Sequence, residues 1–161
     1  MGWDRVVIRA AKRIAAYFSQ QRLERRVVKA LALKPRGGVF NDRLVLSRMS
    51  NRLEVEWRAR GLHSWDRDMA PERAAKMFAQ QCLADVDAAI SRLFVSLPDI
   101  DEISLRVLDP VSGAPILSGM VARTQAATTA TTASIGMRLK SLGLVYHLAN
   151  WRFESLEEAV E

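Results

Sequence analysis

LVLSRMSNRLEVEWRAR, residues 44–60, decides the fold. Leu53, Val55, Trp57 and Ala59 alternate with Glu54, Glu56, Arg58 and Arg60, the period-two pattern of a strand with one buried and one wet face. Leu44 and Leu46 start the same alternation on the near side of Ser50-Asn51. With Ser50-Asn51 as a two-residue turn, position 49 faces 52, Leu44 faces Trp57 and Leu46 faces Val55. All four side chains then share one face. A half-buried hairpin requires that, because a one-residue slip sends the apolar set to the wet side.

Downstream, Gly61 to Asp68 connects the hairpin to a helix starting near Ala70–Pro71. Pro suits a first helical position, and Glu72 sits where the helix dipole favours an anion. Phe78, Cys82, Leu83, Val86, Ala89, Ile90, Leu93 and Phe94 form a broad apolar stripe, and Pro98 closes it. A second hairpin follows. Ile103, Leu105 and Val107 alternate with Ser104 and Arg106; 109–115 holds the turn formers, and Ile116 to Arg123 returns. The returning strand is apolar on both faces, which places it inside the sheet. Gly119 within it signals a bulge or a close backbone approach. Residues 125–142 read as a helix ended by Gly143, and Leu144–Phe153 as a last strand. The expected fold is α+β: an antiparallel sheet of about five strands in the order α-β-β-α-β-β-α-β, with helices mainly on one face.

Upstream, residues 3–34 read as helix, stopped by Pro35, Gly37 and Gly38. In 3–18, Trp3, Val6, Val7, Ala10, Ile14, Tyr17 and Phe18 lie on one side, and Arg5, Arg9, Lys12 and Arg13 on the other. In 22–33 the pattern is rotated. Leu23, Val27, Ala30 and Leu31 make the stripe, while Arg22, Arg25, Arg26 and Lys29 occupy the side that was apolar before. One straight helix cannot press both stripes on one core, so the sequence predicts either a break near Ser19–Gln21 or separate partners for the two halves. The division is then a basic helical arm at 1–36, an α+β domain at 39–154 and an acidic tail at 155–161.

The charge sharpens that division. Net charge is +6, yet residues 1–60 carry 15 Lys/Arg against 5 Asp/Glu, and residues 61–161 carry 9 against 13. A basic segment of this kind fits an acidic partner. A single cysteine, Cys82, cannot form an internal disulfide. No apolar run approaches the ~18 residues of a membrane span. Asp4, Arg5, Arg9, Lys12 and Arg13 interrupt any signal-peptide core, although an amphipathic, Arg-rich start is similar to an organelle transit peptide. The expected compartment is the cytoplasm.

Four constellations compete for function. The first is the arm, with Arg5, Arg9, Lys12, Arg13, Arg22, Arg25, Arg26 and Lys29 as nucleic-acid or anion contacts. Its bland counterpart is a solvated face. The second is the corner at 58–68, where Arg58, Arg60, His63, Trp65, Asp66 and Asp68 gather the chemistry of a ligand site. Its bland counterpart is a packed corner in which Asp68 helps the next helix start. Third, Asp42 with Glu56-Trp57-Arg58 loosely resembles the PD-(D/E)XK nuclease pattern. Arg58 replaces the pattern's Lys and stays protonated, and Asp42 and Glu56 fall on opposite faces. Pairing of Glu56 with Arg43 or Arg58 is the expected use of those charges. The fourth is the hydroxyl-rich run 124–134, which lacks the Gly-rich lead-in and Lys of a phosphate loop and reads as a helix packed on the sheet. Cys82 reads as inert core, and His147 as structural.

No catalytic residue, metal ligand or cofactor is assigned. The sequence favours a non-catalytic binding or assembly protein whose arm meets an acidic partner, nucleic acid first. An acidic protein or self-association comes next and an anionic membrane surface after that. The alternatives are a ligand binder or enzyme at residues 58–68 and a membrane-surface protein held by residues 3–18.

Overall fold

The computed structural model describes residues 3–33, 44–62, 68–129 and 134–156, with the side chains of 3–7 and 10 outside that description. The chain runs α1 (Trp3–Ala30), β1 (Leu44–Met49), β2 (Arg52–Arg58), α2 (Pro71–Ser96), β3 (Glu102–Leu108), β4 (Pro115–Ala122), α3 (Arg123–Thr128), α4 (Ile135–Ser141), β5 (Leu144–Val145), β6 (Leu148–Ala149) and β7 (Arg152–Phe153). It is an α+β fold.

The first hairpin has the predicted register: Leu44 pairs with Trp57, Leu46 with Val55 and Met49 with Arg52. Ser50 takes φ 55° to close the turn. The second hairpin, β3–β4, is also antiparallel. The union of the two differs from the expected all-antiparallel sheet. β2 and β3 are parallel, Arg52 beside Glu102 through Arg58 beside Leu108, within a five-stranded sheet of order β1-β2-β3-β4-β5. The reason is the length of α2. Its 26 residues carry the chain back past the end of β2, so β3 restarts in the same direction, as a crossover helix permits. β4 lies inside the sheet as predicted, with Ile116 and Leu117 both buried.

α2 begins with Ala70 as its N-cap and Pro71 in its first turn, and buries Ala79, Cys82, Leu83, Val86, Ala89, Ile90, Leu93 and Phe94. These side chains join Leu53, Val55, Trp57, Ile103, Leu105, Val107, Leu117 and Val121 in one core. Each fully buried side chain of this size contributes about 1.5–3 kcal/mol. On the other sheet face Val45 and Val145 are more than half exposed and Met120 nearly half.

Gly119 marks a close approach rather than a bulge. A Cβ there would sit 2.5 Å from the Gly143 carbonyl oxygen and 3.0 Å from Leu144 Cα. The sheet's register shift falls instead between Val107 and Leu108. In the β3–β4 connection Asp109 Oδ1 accepts from the Val111 and Ser112 amides at 2.9 and 2.8 Å, and Gly113 supplies φ 73°.

Two expectations fail in the last third. Residues 125–142 are not one helix. α3 stops at Thr128, where Thr hydroxyls compete for its carbonyls, and α4 starts at Ser134, whose hydroxyl accepts from the Met137 amide. Nor is 144–153 one strand. Only Leu144–Val145 joins the sheet, and the chain then folds back as β6–β7 through Asn150 and Trp151 at φ 50° and 65°. Phe153 holds this flap down, packing edge-on to Phe78 and Tyr146 at 5.9 and 6.2 Å.

Candidate functional site

α1 is continuous from Trp3 to Ala30, with no break at Ser19–Gln21. The rotated stripes are resolved in another way. Only the second half is seated: Leu23, Val27 and Ala30 are buried in the common core, and α1 packs against α2. Every described side chain from Ile8 to Gln20 is exposed, including Ile14 at 57%, Tyr17 at 61% and Phe18 at 54%. Residues 3–20 span about 27 Å at the helical rise. Tyr17 and Phe18 meet edge-on at 5.9 Å, and Gln21 Nε2 donates to the Tyr17 hydroxyl at 2.6 Å, so the exposed rings are ordered on the helix surface.

The candidate cations separate into two rows. Arg9, Lys12 and Arg13 lie on the side of the helix that Leu23 and Val27 continue toward the body, but about three to four turns before Leu23. Arg22, Arg25 and Lys29 lie on the side turned away from the body, with Arg26 between the two directions. All seven are exposed. Arg26 adds a small part to the lowering of the Asp99 carboxyl. The Arg5 side chain lies outside the described residues.

Of the corner at 58–68, Arg58, Arg60 and Asp68 fall within the described residues. His63, Trp65 and Asp66 lie outside the described residues. Arg60 is held by α2: its Nε and a terminal nitrogen donate to Asp85 at 2.6 and 3.1 Å, and its carbonyl accepts from Gln81. The Arg58 guanidinium lies beside Gly113. Asp68 is exposed two residues before Ala70, the N-cap of α2, which itself makes no side-chain cap bond. Glu56 pairs with Arg106, its neighbour across the parallel β2–β3 ladder, and not with Arg58; Arg43 and Asp42 lie outside the described residues. That correction follows from the parallel pairing, which the hairpin alone could not show.

The hydroxyl run does not form an anion cradle. Thr128 donates to the Thr124 and Gln125 carbonyls and Thr129 to Gln125, while α3 packs on the core through the partly buried Ala126. Cys82 is inert by position: burial, with Asp85 and Asp109 adding repulsion, pushes its thiol up to about 12. His147 is exposed on the β5–β6 connection and its carbonyl accepts from the Glu154 amide.

Sequence reasoning missed three anchors. Arg123 donates to the carbonyls of Phe94, Leu97 and Ile100 at 2.6–3.0 Å and stacks on Phe94 at 4.7 Å. Arg138 grips Asp87 of α2 in a two-pronged ion pair whose side chains are each 20% exposed. Arg48 binds Asp99. Their partners lie 23 to 51 residues away, and no local spacing signals them. Two shallow depressions lie on the surface of the described residues. One, of about 460 Å³, is lined by Glu72, Ala149, Asn150, Trp151 and Arg152, with Lys76 Nζ 5.1 Å over the Trp151 ring. The other crosses the open sheet face beside Ser47, Glu54 and Ser104. Among the described residues, no cluster of His, Cys, Asp and Glu is placed to hold a metal ion, and no helix is long and apolar enough to cross a membrane. No family model matches the chain, and no curated protein or solved structure matches it either.

Proposed function

We propose that this chain is a non-catalytic binding and assembly protein that attaches itself to a polyanionic surface through α1. The observation that carries the reading is the unequal seating of one continuous helix. Leu23, Val27 and Ala30 fix its second half in the core, and the described side chains of residues 8–20 are left to solvent. A helix kept in place by one half presents the other at a defined angle, with cations along it. Rigid presentation lowers the conformational cost of contact with an acidic partner.

On charge alone nucleic acid is the first polyanion to consider. Arg22, Arg25, Arg26 and Lys29 occupy little more than two turns, close enough to meet neighbouring phosphates. The corner at 58–68 draws less support, since Arg60 is already engaged by Asp85.

The test is retention of the full chain on immobilised heparin, and binding to duplex DNA and RNA, over a salt series. The chain should bind at low salt and release steeply as salt rises. The quadruple change of Arg22, Arg25, Arg26 and Lys29 to Ala should remove most of the retention. A chain that passes through heparin at low salt would refute the proposal.

A further inference from the structure

The outward face of α1 changes character along its length, and that change names a partner. At about 100° per residue, Arg22, Arg25 and Lys29 fall within about 40° of Phe18, while Val27 lies opposite to it. Val27 is fully buried against the body. The helix therefore turns one continuous face away from the domain: apolar at Ile14 and Phe18, with Tyr17 exposed on its flank, then cationic at Arg22, Arg25 and Lys29. Resting on the polyanion reading above, we infer that this face docks on an anionic lipid bilayer, with the body held on the far side of the helix.

Both parts of the face have a use there. An interfacial helix lies in the membrane plane with its apolar side about 5–10 Å into the headgroup–acyl boundary, and Tyr suits that depth. Phe18 and Ile14 supply the inserted surface. The next two turns bring guanidinium and ammonium groups to headgroup phosphates, each contributing about a fivefold gain in partition on an anionic leaflet. Ile14, Phe18, Arg22, Arg25 and Lys29 are all exposed, which leaves that face accessible to a bilayer.

The other occupants fit less of the surface. Nucleic acid would engage Arg22, Arg25 and Lys29 but leaves Ile14, Tyr17 and Phe18 facing phosphate or water. A second copy could bury those three, but it would bring together two helices that carry five cations and no carboxylate between residues 5 and 23. Like charges at that density oppose pairing.

Sedimentation of the full chain with unilamellar vesicles tests the inference, comparing phosphatidylcholine alone with a phosphatidylcholine–phosphatidylglycerol mixture. Binding is expected only to the anionic vesicles. The pair Tyr17→Ser and Phe18→Ser, both exposed and remote from the core, should lower it at least tenfold while heparin retention and the circular dichroism spectrum stay unchanged. Changing Arg22, Arg25 and Lys29 to Ala should lower both vesicle binding and heparin retention. Heparin retention without vesicle binding would overturn the lipid inference and leave the polyanion reading standing. Failure on heparin as well would end both. Vesicle binding indifferent to the serine pair also overturns the inference, as does a dimer that the pair converts to monomer or duplex binding that the pair abolishes.

Discussion

Arg123 closes the C-terminal end of α2 from outside the helix. The last carbonyls of a helix have no intrahelical donors, and here one guanidinium serves Phe94, Leu97 and Ile100 while its own backbone amide donates to Asp101. Arg123→Ala leaves those acceptors unpaired and should lower unfolding free energy by about 2–4 kcal/mol, read from urea midpoints. Arg123→Lys should recover only part of this, because a single ammonium cannot span three carbonyls in a plane. Asp99 carries a pH-dependent contribution. The hydrogen bond from Arg48, with a backbone hydrogen bond beside it, holds its carboxyl below the ordinary value. A carboxylate with a depressed native pKa stabilises the fold above its unfolded value near ~3.9, and that contribution fades as pH falls through the native value. The urea midpoints of wild type and Asp99→Asn should therefore differ at pH 6 and converge in acid. Midpoints that stay apart below pH 3 would mean that Asp99 acts by packing instead.

At the scale of elements, α1 is two structural problems in one helix. Its second half obeys core packing, and Val27→Ala should cost about 1–2 kcal/mol in urea denaturation. The described side chains of its first half are exposed, so Ile14→Ala and Phe18→Ala should move the midpoint by less than about 0.5 kcal/mol. The rotated stripes were visible in the residues. Which half was seated was not, because both stripes are apolar and only the tertiary partner, α2, distinguishes them. The 44–60 hairpin was legible to the residue, since turn position and face parity both fixed the same register. The β6–β7 flap was not, because it depends on Trp151 adopting φ 65°, a conformation that a bulky side chain rarely takes.

At the scale of the whole molecule, one face of the sheet is sealed by α2 and the other is left to water. Order should fall away from that sealed layer. In native-state hydrogen exchange, amides of Leu53, Val55, Ile103, Leu105, Val107, Leu117 and Val121 should be slowest, and those of residues 8–18 fastest. Protection of residues 8–18 equal to that of β3 would show that the first half of α1 has a partner in the isolated chain. The candidate corner at 58–68 belongs to this scale too. It looked like a site because its residue types are concentrated in the chain, but Arg60 finds its carboxylate 25 residues away on α2. The use of Arg60 was set by a neighbour that only the assembled layers provide.

The parallel pairing of β2 with β3 has a kinetic consequence. Each hairpin closes a short loop and can form alone, whereas Arg52 meets Glu102 only after 50 residues of chain have been looped back. The entropy of that closure must be met before the central ladder returns any free energy. Two hairpins searching for each other across α2 thus set the slow step of folding, and until they join, β2 and β3 each present an unpaired edge to other chains.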